Sequence, residues 1–350
     1  MNPSDSPVSQ LERELREQGS AIAGRATMMQ PAEDAGRLIA GADYLVIAAR
    51  GSSDNAARFG QYAFGLETGV NVALAAPSLF KTRAAAPSLR GAAVLAISQS
   101  GQSPDIVGVL AAARDQGRPT IALTNDEGSP LAAVADVVVP LATGPERSVA
   151  ATKTYLASLH ALVQIIESMR PDAERRAWLE RLPELVDATV AEQLARRSQF
   201  DRLEEATVLT TVGRGLDFST AHETALKIRE LAAIVTEAFS PPDLLHGPVA
   251  ALGRSGALWL IDTDGRLDQS TGAVLEKARE RGMRIVVVSR APLPAPGGPD
   301  LHIAIPPETP RWLAAILAVL PGQVAAFHLA SRRGVDLDHP HGLSKVTLTR

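Results

Sequence analysis

The stretch Tyr44-Leu45-Val46-Ile47-Ala48-Ala49-Arg50-Gly51-Ser52-Ser53 decides the fold. An apolar run of strand length ends in a turn rich in glycine and hydroxyl side chains, and a helical pattern follows over 55–68. The same grammar returns downstream. Residues 93–97 (AVLAI) end in Ser98-Gln99-Ser100-Gly101, residues 120–123 end in Thr124-Asn125, and 137–140 (VVVP) form a fourth run. Short apolar runs bounded by turn residues read as buried strands. Between the second and third lies a helix over 103–116, with Ile106, Val109, Leu110 and Ala113 on one face. Strands alternating with helices imply crossover units and an α/β fold, a parallel sheet covered on both sides.

The pattern then repeats. Residues 206–212 (ATVLTTV) end in Gly213-Arg214-Gly215 and run into a helix from about Ser219. Residues 257–262 (ALWLID) end in Thr263-Asp264-Gly265, and 284–288 in Ser289-Arg290. Gly51 and Gly213 lie 162 residues apart, while Ser98 and Asp262, like Ile121 and Ile285, lie 164 apart. A near-constant offset is the mark of an internal duplication. The expected organisation is a helical leader over 1–30, a first domain over 31–170, a helical linker over 171–200, a second domain over 201–335 and a tail over 336–350. A long helical stretch from about Thr152 to Arg202 joins the domains, and 291–300 (APLPAPGGPD) is a surface connection.

Composition removes several classes of function. The chain has 350 residues, 45% hydrophobic and 21% charged, enough for about two packed domains. It contains no cysteine, so it holds no disulfide, thiolate metal site or thiol nucleophile. A net charge of −4 and 4% aromatics give nucleic acid neither a basic field nor a stacking platform. The N-terminus lacks a basic region followed by an apolar stretch. The most apolar segments, such as 312–320, fall far short of the roughly 20 residues of a membrane helix. A cytoplasmic protein is expected.

Ligands of open parallel sheets bind outside the carboxyl ends of the strands. In the first half those ends carry Ser52, Ser53, Ser98, Ser100 and Ser103. Hydroxyls, glycine and a helix N-terminus together suit a phosphate dianion, although serines also cap helices routinely. The corresponding turns of the second half carry Gly213-Arg214-Gly215 and the acidic Asp262-Thr263-Asp264-Gly265. Only the first half is therefore expected to take an anion. The second half supplies other groups: Glu223, Lys227 and Glu230 near one helical face, then His246 between turn residues in Leu245-His246-Gly247-Pro248. The C-terminal Asp338-His339-Pro340-His341 precedes Lys345; the i,i+2 histidines make a poor metal pair.

With these residues in place, the chain resembles the double SIS (sugar isomerase) family along nearly its whole length. It is most similar to the branch formed by the isomerase half of glucosamine-6-phosphate synthase and the stand-alone glucosamine-6-phosphate deaminases. The carrying motifs are Arg50-Gly51-Ser52-Ser53, Ser98-Gln99-Ser100-Gly101-Gln102-Ser103, Ser148-Val149-Ala150-Ala151-Thr152-Lys153, Ala225-Leu226-Lys227-Ile228-Arg229-Glu230, His246-Gly247-Pro248, and Asp338-His339-Pro340 with Lys345. The resemblance implies two tandem SIS domains, each a flavodoxin-like parallel-sheet α/β sandwich. It implies that Ser52, Ser98, Gln99, Ser100 and Ser103 hold a 6-phosphate with Ser53 close by, and that Val149 and Ala151 line the sugar. It assigns proton transfer between C1 and C2 to Glu230, ring opening to His246, carbonyl chemistry at C2 to Lys345, and orientation of substrate or tuning of Glu230 to Lys227. No metal or organic cofactor is implied. The partners are a phosphorylated amino sugar or fructose 6-phosphate and a second copy of the chain, with the HGP loop reaching into the neighbouring site.

Two departures shape the expected activity. The synthase carries a glutaminase domain that begins with a nucleophilic cysteine, whereas here the first strand starts near residue 44 and cysteine is absent. Asp243-Leu244-Leu245 also precede His246 in place of the synthase's glutamate and lysine. The leading expectation is a glucosamine-6-phosphate deaminase. Alternatives are a fructosamine-6-phosphate deglycase or another SIS sugar-phosphate isomerase, and a non-catalytic sugar-phosphate sensor.

Overall fold

The two runs of alternating strands and helices each close into a five-stranded parallel sheet, with the same order in both. A computed structural model of the chain describes residues 8–25, 28–80, 86–265, 267–292, 298–338, 342 and 345. These fall into two units: one of residues 19–146 and 153–183, the other of residues up to 18, 147–152 and 184–345.

Three helices, α1 (Gln10–Arg16), α2 (Gln18–Arg25) and α3 (Met29–Ala40), precede the first sheet. Its elements are β1 (Tyr44–Ala48), α4 (Ser52–Thr68), β2 (Val72–Leu74), β3 (Ala92–Ile97), α5 (Pro104–Asp115), β4 (Thr120–Thr124), α6 (Pro130–Ala133) and β5 (Val137–Pro140). The strand order is β2-β1-β3-β4-β5. Side chains alternate across each strand. Val46 and Ala48 of β1 and Ala92, Val94 and Ala96 of β3 share one core with Ile106, Val109 and Leu110 of α5. Burial of that apolar face is the main stabilising term.

The helical stretch expected over 152–202 is two helices, α7 (Lys153–Met169) and α8 (Ala173–Ala195), followed by a 3-10 turn over Arg197–Leu203. Pro171 explains the break: it lacks an N–H and steers Arg170 away from helical backbone. The Asp172 carboxylate then accepts from the Arg175 N–H at 2.9 Å and starts the next helix. Accepting the Arg175 N–H holds the Asp172 pKa below its ordinary value.

The second sheet follows with β6 (Val208–Val212), α9 (Leu216–Ala232), β7 (Val235–Phe239), α10 (Pro241–Leu245), β8 (Gly256–Asp262), α11 (Gln269–Glu280), β9 (Arg284–Ser289) and β10 (Leu301–Ala304). Then come α12 (Arg311–Leu317) and α13 (Val319–Arg332). The order β10-β9-β8-β6-β7 is the first sheet's order, strand for strand. The duplication read from the sequence therefore extends to topology, with one correction. The glycine equivalent to Gly51 is Gly215, not Gly213. Both precede a 17-residue helix, with φ 56° and ψ −132° at Gly51 and φ 64° and ψ −127° at Gly215. That backbone is open almost only to glycine. The offset is 164 at this landmark too, and the helix starts at Leu216 rather than near Ser219.

Three strands were not anticipated: β2, β7 and β10, all at sheet edges. β2 has only three residues, and β7 and β10 carry polar side chains between their apolar ones. In β7, exposed Val235 and Glu237 flank buried Thr236. The apolar C-terminal segment is also longer than expected. Helical residues Arg311–Arg332 are long and apolar enough to cross a membrane by length and composition, and the most apolar window is entirely buried within the protein. It is a core element.

Candidate functional site

The first unit brings its serine turns together at the carboxyl ends of β1 and β3. Ser52 and Ser53 open α4, and Ser98, Gln99, Ser100 and Ser103 follow β3. Arg50 Nε donates to Asp105 Oδ2 at 2.8 Å, pinning the turn after β1 to the start of α5. Within the second turn, the Ser98 hydroxyl accepts the Gly101 N–H at 3.2 Å and the Ser100 hydroxyl accepts the Gln102 N–H at 3.3 Å. The Gln99 carbonyl accepts from the Asn125 N–H at 3.0 Å, which ties the turn to β4. Gly101 has φ 61°, and a Cβ there would overlap the Ser129 hydroxyl. Ser103 stands at the N-cap of α5, yet its hydroxyl makes no capping bond. Serines at such positions usually cap. Here the capping explanation fails at Ser103, and Ser98, Gln99, Ser100 and Ser103 sit on a rigid turn ahead of a helix N-terminus.

The second unit has the same backbone with different chemistry. Asp217 stands where the first half has Ser53, Asp262 where it has Ser98, Thr263 where it has Gln99, and Asp264 where it has Ser100. Asp217 is buried and accepts from the Thr263 N–H at 2.8 Å and the Thr263 hydroxyl at 2.7 Å. Burial raises its pKa to about 7, against the pull of those bonds; Asp264 and Asp262 add to the rise. Asp268 caps α11 by accepting the Thr271 N–H, takes the Ser270 and Thr271 hydroxyls, and pairs with Arg214. Burial opposes ionisation, but these donors together hold Asp268 well below the usual carboxylate range. Arg311 pairs with Asp264. This helix N-terminus is filled by the protein's own carboxylate.

On α9, three charged residues form a graded row. Glu223 and Lys227 are fully buried, at 0% and 1% side-chain exposure, with Lys227 Nζ 3.8 Å from Glu223 Oε1. Lys227 Nζ donates to Glu230 Oε2 at 2.5 Å, and Glu230 keeps 29% exposure. A row laid along a solvated face would expose all three. Here only Glu230 can meet a ligand, while Lys227 and Glu223 behind it fix its carboxylate. Glu223 is visible in the sequence as part of the i,i+4 pair, but its burial is not.

His246 is the exposed C-cap of α10, its N–H bonded to the Pro242 carbonyl at 3.0 Å. The next residue, Gly247, has φ 145°. Val149 and Ala151 are half-buried on the segment before α7. On the same segment Ser148 is bonded on two sides. Its hydroxyl donates to Glu14 Oε2 at 2.5 Å, and its carbonyl accepts from Lys345 Nζ at 2.7 Å. Glu14 was not singled out from the sequence. The available signal was an acid between Leu11, Leu15 and Gln18, on the apolar stripe of α1. His339 and His341 lie outside the described residues, as does most of the tail. Among the described residues no three histidines or carboxylates gather as metal ligands. A cavity of about 630 Å³ opens between α9 and β7, lined by His222, Arg229, Glu237, Phe239 and Pro248. It contains neither Glu230 nor His246.

The SIS domain matches this chain twice, over residues 38–168 and 203–332, once for each sheet. The chain belongs to the SIS domain family. Among curated relatives of this SIS protein is the glutamine–fructose-6-phosphate aminotransferase (isomerizing) of Methanothermobacter thermautotrophicus, 29% identical over 335 residues. The alignment takes in 95% of the chain and 56% of that relative, so the chain spans about half the relative's length. Solved SIS structures share the fold. The C-terminal domain of glucosamine-fructose-6-phosphate aminotransferase from Francisella tularensis matches with a TM-score of 0.82 at 21% identity, covering 96% of this chain and 99% of that one. Glucosamine-6-phosphate deaminase from Thermotoga maritima matches with a TM-score of 0.75 at 20% identity, covering 97% and 100%.

Proposed function

We propose that the protein is a cytoplasmic amino-sugar phosphate deaminase that converts glucosamine 6-phosphate and water to fructose 6-phosphate and ammonia. The observation that carries this reading is the α9 row, in which buried Lys227 and Glu223 hold a single accessible carboxylate, Glu230. A protein that only binds sugar phosphate has no use for a positioned base. The given residues also hold no cysteine, so they contain no thiol to release ammonia from glutamine.

In this reading Ser52, Ser98, Gln99, Ser100 and Ser103, with Ser53, hold the phosphate as hydroxyl, amide and helix N–H donors. Val149 and Ala151 line the sugar. His246 assists opening of the pyranose ring. Glu230 takes the proton from C2 of the open-chain aldehyde and returns it to C1. The electron pair of the C2–H bond becomes the C1–C2 double bond of an enolamine as the aldehyde oxygen takes up a proton; when C1 is then protonated the nitrogen gives up a proton, so that C1 becomes a hydroxymethyl group and C2 a ketimine. Water adds to the ketimine and ammonia leaves. Lys227 orients the Glu230 carboxylate through its 2.5 Å hydrogen bond, and Lys345 acts at the C2 carbonyl. A homodimer with shared sites completes the proposal.

The test is ammonia release without glutamine, together with exchange of solvent deuterium into C1 or C2. Glu230→Gln keeps size and polarity but removes the base. Turnover is expected to fall by at least about 100-fold, the lower range for a general base, with exchange lost in parallel. Near-normal deamination by this variant removes Glu230 from the mechanism. Ammonia release from fructosamine 6-phosphate alone favours the deglycase, and no turnover or exchange with any amino-sugar phosphate favours the sensor.

A further inference from the structure

Glu14 lies on α1, far in sequence from every residue given a role above. Its side chain is fully buried, between Leu11 and Leu15, which are also buried. An acid on the apolar stripe of a short helix needs partners, because burying a carboxylate is costly. Its partners come mostly from one turn. Oε1 accepts the Arg147 N–H at 2.5 Å, and Oε2 accepts the Ser148 N–H at 3.1 Å and the Ser148 hydroxyl at 2.5 Å. Gln10 Nε2 donates to Oε1 at 3.0 Å and completes the set. Among the described residues Glu14 forms no ion pair; its partners are two peptide N–H groups, a hydroxyl and an amide.

The turn so held has a second partner. The Ser148 carbonyl accepts from Lys345 Nζ at 2.7 Å. The tail that bears Lys345 is tied to α1 a second time, by the Gln10 N–H donated to Asp338 Oδ1 at 2.8 Å. Val149 and Ala151 follow Ser148 directly. The Glu14 carboxylate and the Lys345 ammonium are thus both bonded to one residue, Ser148.

We propose that Glu14 is a positioning residue for Lys345: by fixing the 147–148 turn it sets the carbonyl on which the ammonium docks. This rests on the reading that Lys345 works at the substrate carbonyl. Without Glu14 the turn loses charge-assisted bonds and the ammonium loses a fixed seat. A carboxamide at this position does not substitute, because its NH₂ would face donors rather than accept from them.

The test is pulsed acetylation of the full-length protein, read lysine by lysine by mass spectrometry, alongside steady-state kinetics. In Glu14→Gln, Lys345 is expected to react about 10-fold faster, on the scale of one or more lost charge-assisted bonds. Lys277, which is 44% exposed, and buried Lys153 are expected to keep their rates. Ser148→Ala removes one donor and leaves the carbonyl, so it gives a smaller rise in the same direction and serves if Glu14→Gln does not fold. An unchanged Lys345 rate in both variants overturns the proposal. So does a rise shared equally by Lys153 and Lys277, which reports loss of the fold. In the deaminase reaction, kcat is expected to fall about 10-fold with KM within threefold, because the phosphate grip is untouched. Faster labelling with unchanged turnover leaves the positioning of Lys345 standing and removes Lys345 from the chemistry.

Discussion

The two halves of the chain have the same sheet order, the same glycine turn into a 17-residue helix and the same 164-residue offset, yet their strand ends do opposite things. In the first half the turn after β3 offers hydroxyls; the N-cap Ser103 makes no capping bond, while Asp105 in the first turn accepts the Ile106 N–H at 3.0 Å and pairs with Arg50. In the second, the equivalent turns offer carboxylates, each already engaged: Asp217 with Thr263, Asp268 with Thr271 and Arg214, and Asp264 with Arg311. The backbone of an α/β switch point is a generic anion cradle. Side chains decide whether it stays open. In the second half the N-cap position itself holds a carboxylate, Asp268, bonded to the Thr271 N–H.

The comparison breaks most easily at the first-half turn. Ser98→Ala with Ser100→Ala is expected to raise KM for a phosphorylated substrate by at least about 100-fold, since hydrogen bonds to a charged group contribute about 1.5–3 kcal/mol each. The measurement is steady-state kinetics on a variant shown to be folded by circular dichroism. An unchanged KM moves the anion site elsewhere.

A smaller effect sharpens the account of the second half. Asp217 has its pKa raised to about 7, chiefly by burial, against about 3.9 for an unfolded aspartate. A raised acid favours the fold when protonated, so its contribution is complete below about pH 4 and is lost as pH rises through 7. Thermal unfolding across pH 4–8 is therefore expected to show the parent protein losing stability relative to Asp217→Asn as pH rises. Parallel Tm curves would show that Asp217 ionises in the fold as freely as in the unfolded chain.

The smallest effect lies at the helix ends. Gly69 closes α4 with φ 75°, and its counterpart Ala233 closes α9 in the same left-handed region with φ 53°. Alanine there is strained, while glycine costs some unfolded-state entropy. Ala233→Gly is expected to stabilise by up to about 1 kcal/mol, and Gly69→Ala to destabilise by about as much, both read by urea unfolding.

Much of this was legible in the sequence because turns at strand ends are marked by residue type. The Ser98–Ser103 turn, the α9 row and the α/β duplication all rest on short-range patterns. What the sequence left open depends on backbone angle or on distant packing. In Gly213-Arg214-Gly215 either glycine can match Gly51 by local pattern; the 164-residue offset of the other landmarks and the positive φ both select Gly215. The edge strand β2 is only three residues long, and β7 and β10 interleave polar side chains with apolar ones. The split between α7 and α8 is written locally in Pro171 and Asp172, between two segments that each read as helix. Glu14 was missed because its meaning depends on Ser148, more than a hundred residues away in sequence.

The central claim is that this double SIS protein takes its anion in the first half and not in the second. A crystal structure with fructose 6-phosphate tests it most directly. The account predicts the phosphate within hydrogen-bonding distance of the Ser98, Ser100 and Ser103 side chains, with the Asp268–Arg214 pair intact. Phosphate density seated at the start of α11, with Arg214 or Arg311 turned away from its aspartate toward the ligand, would contradict it.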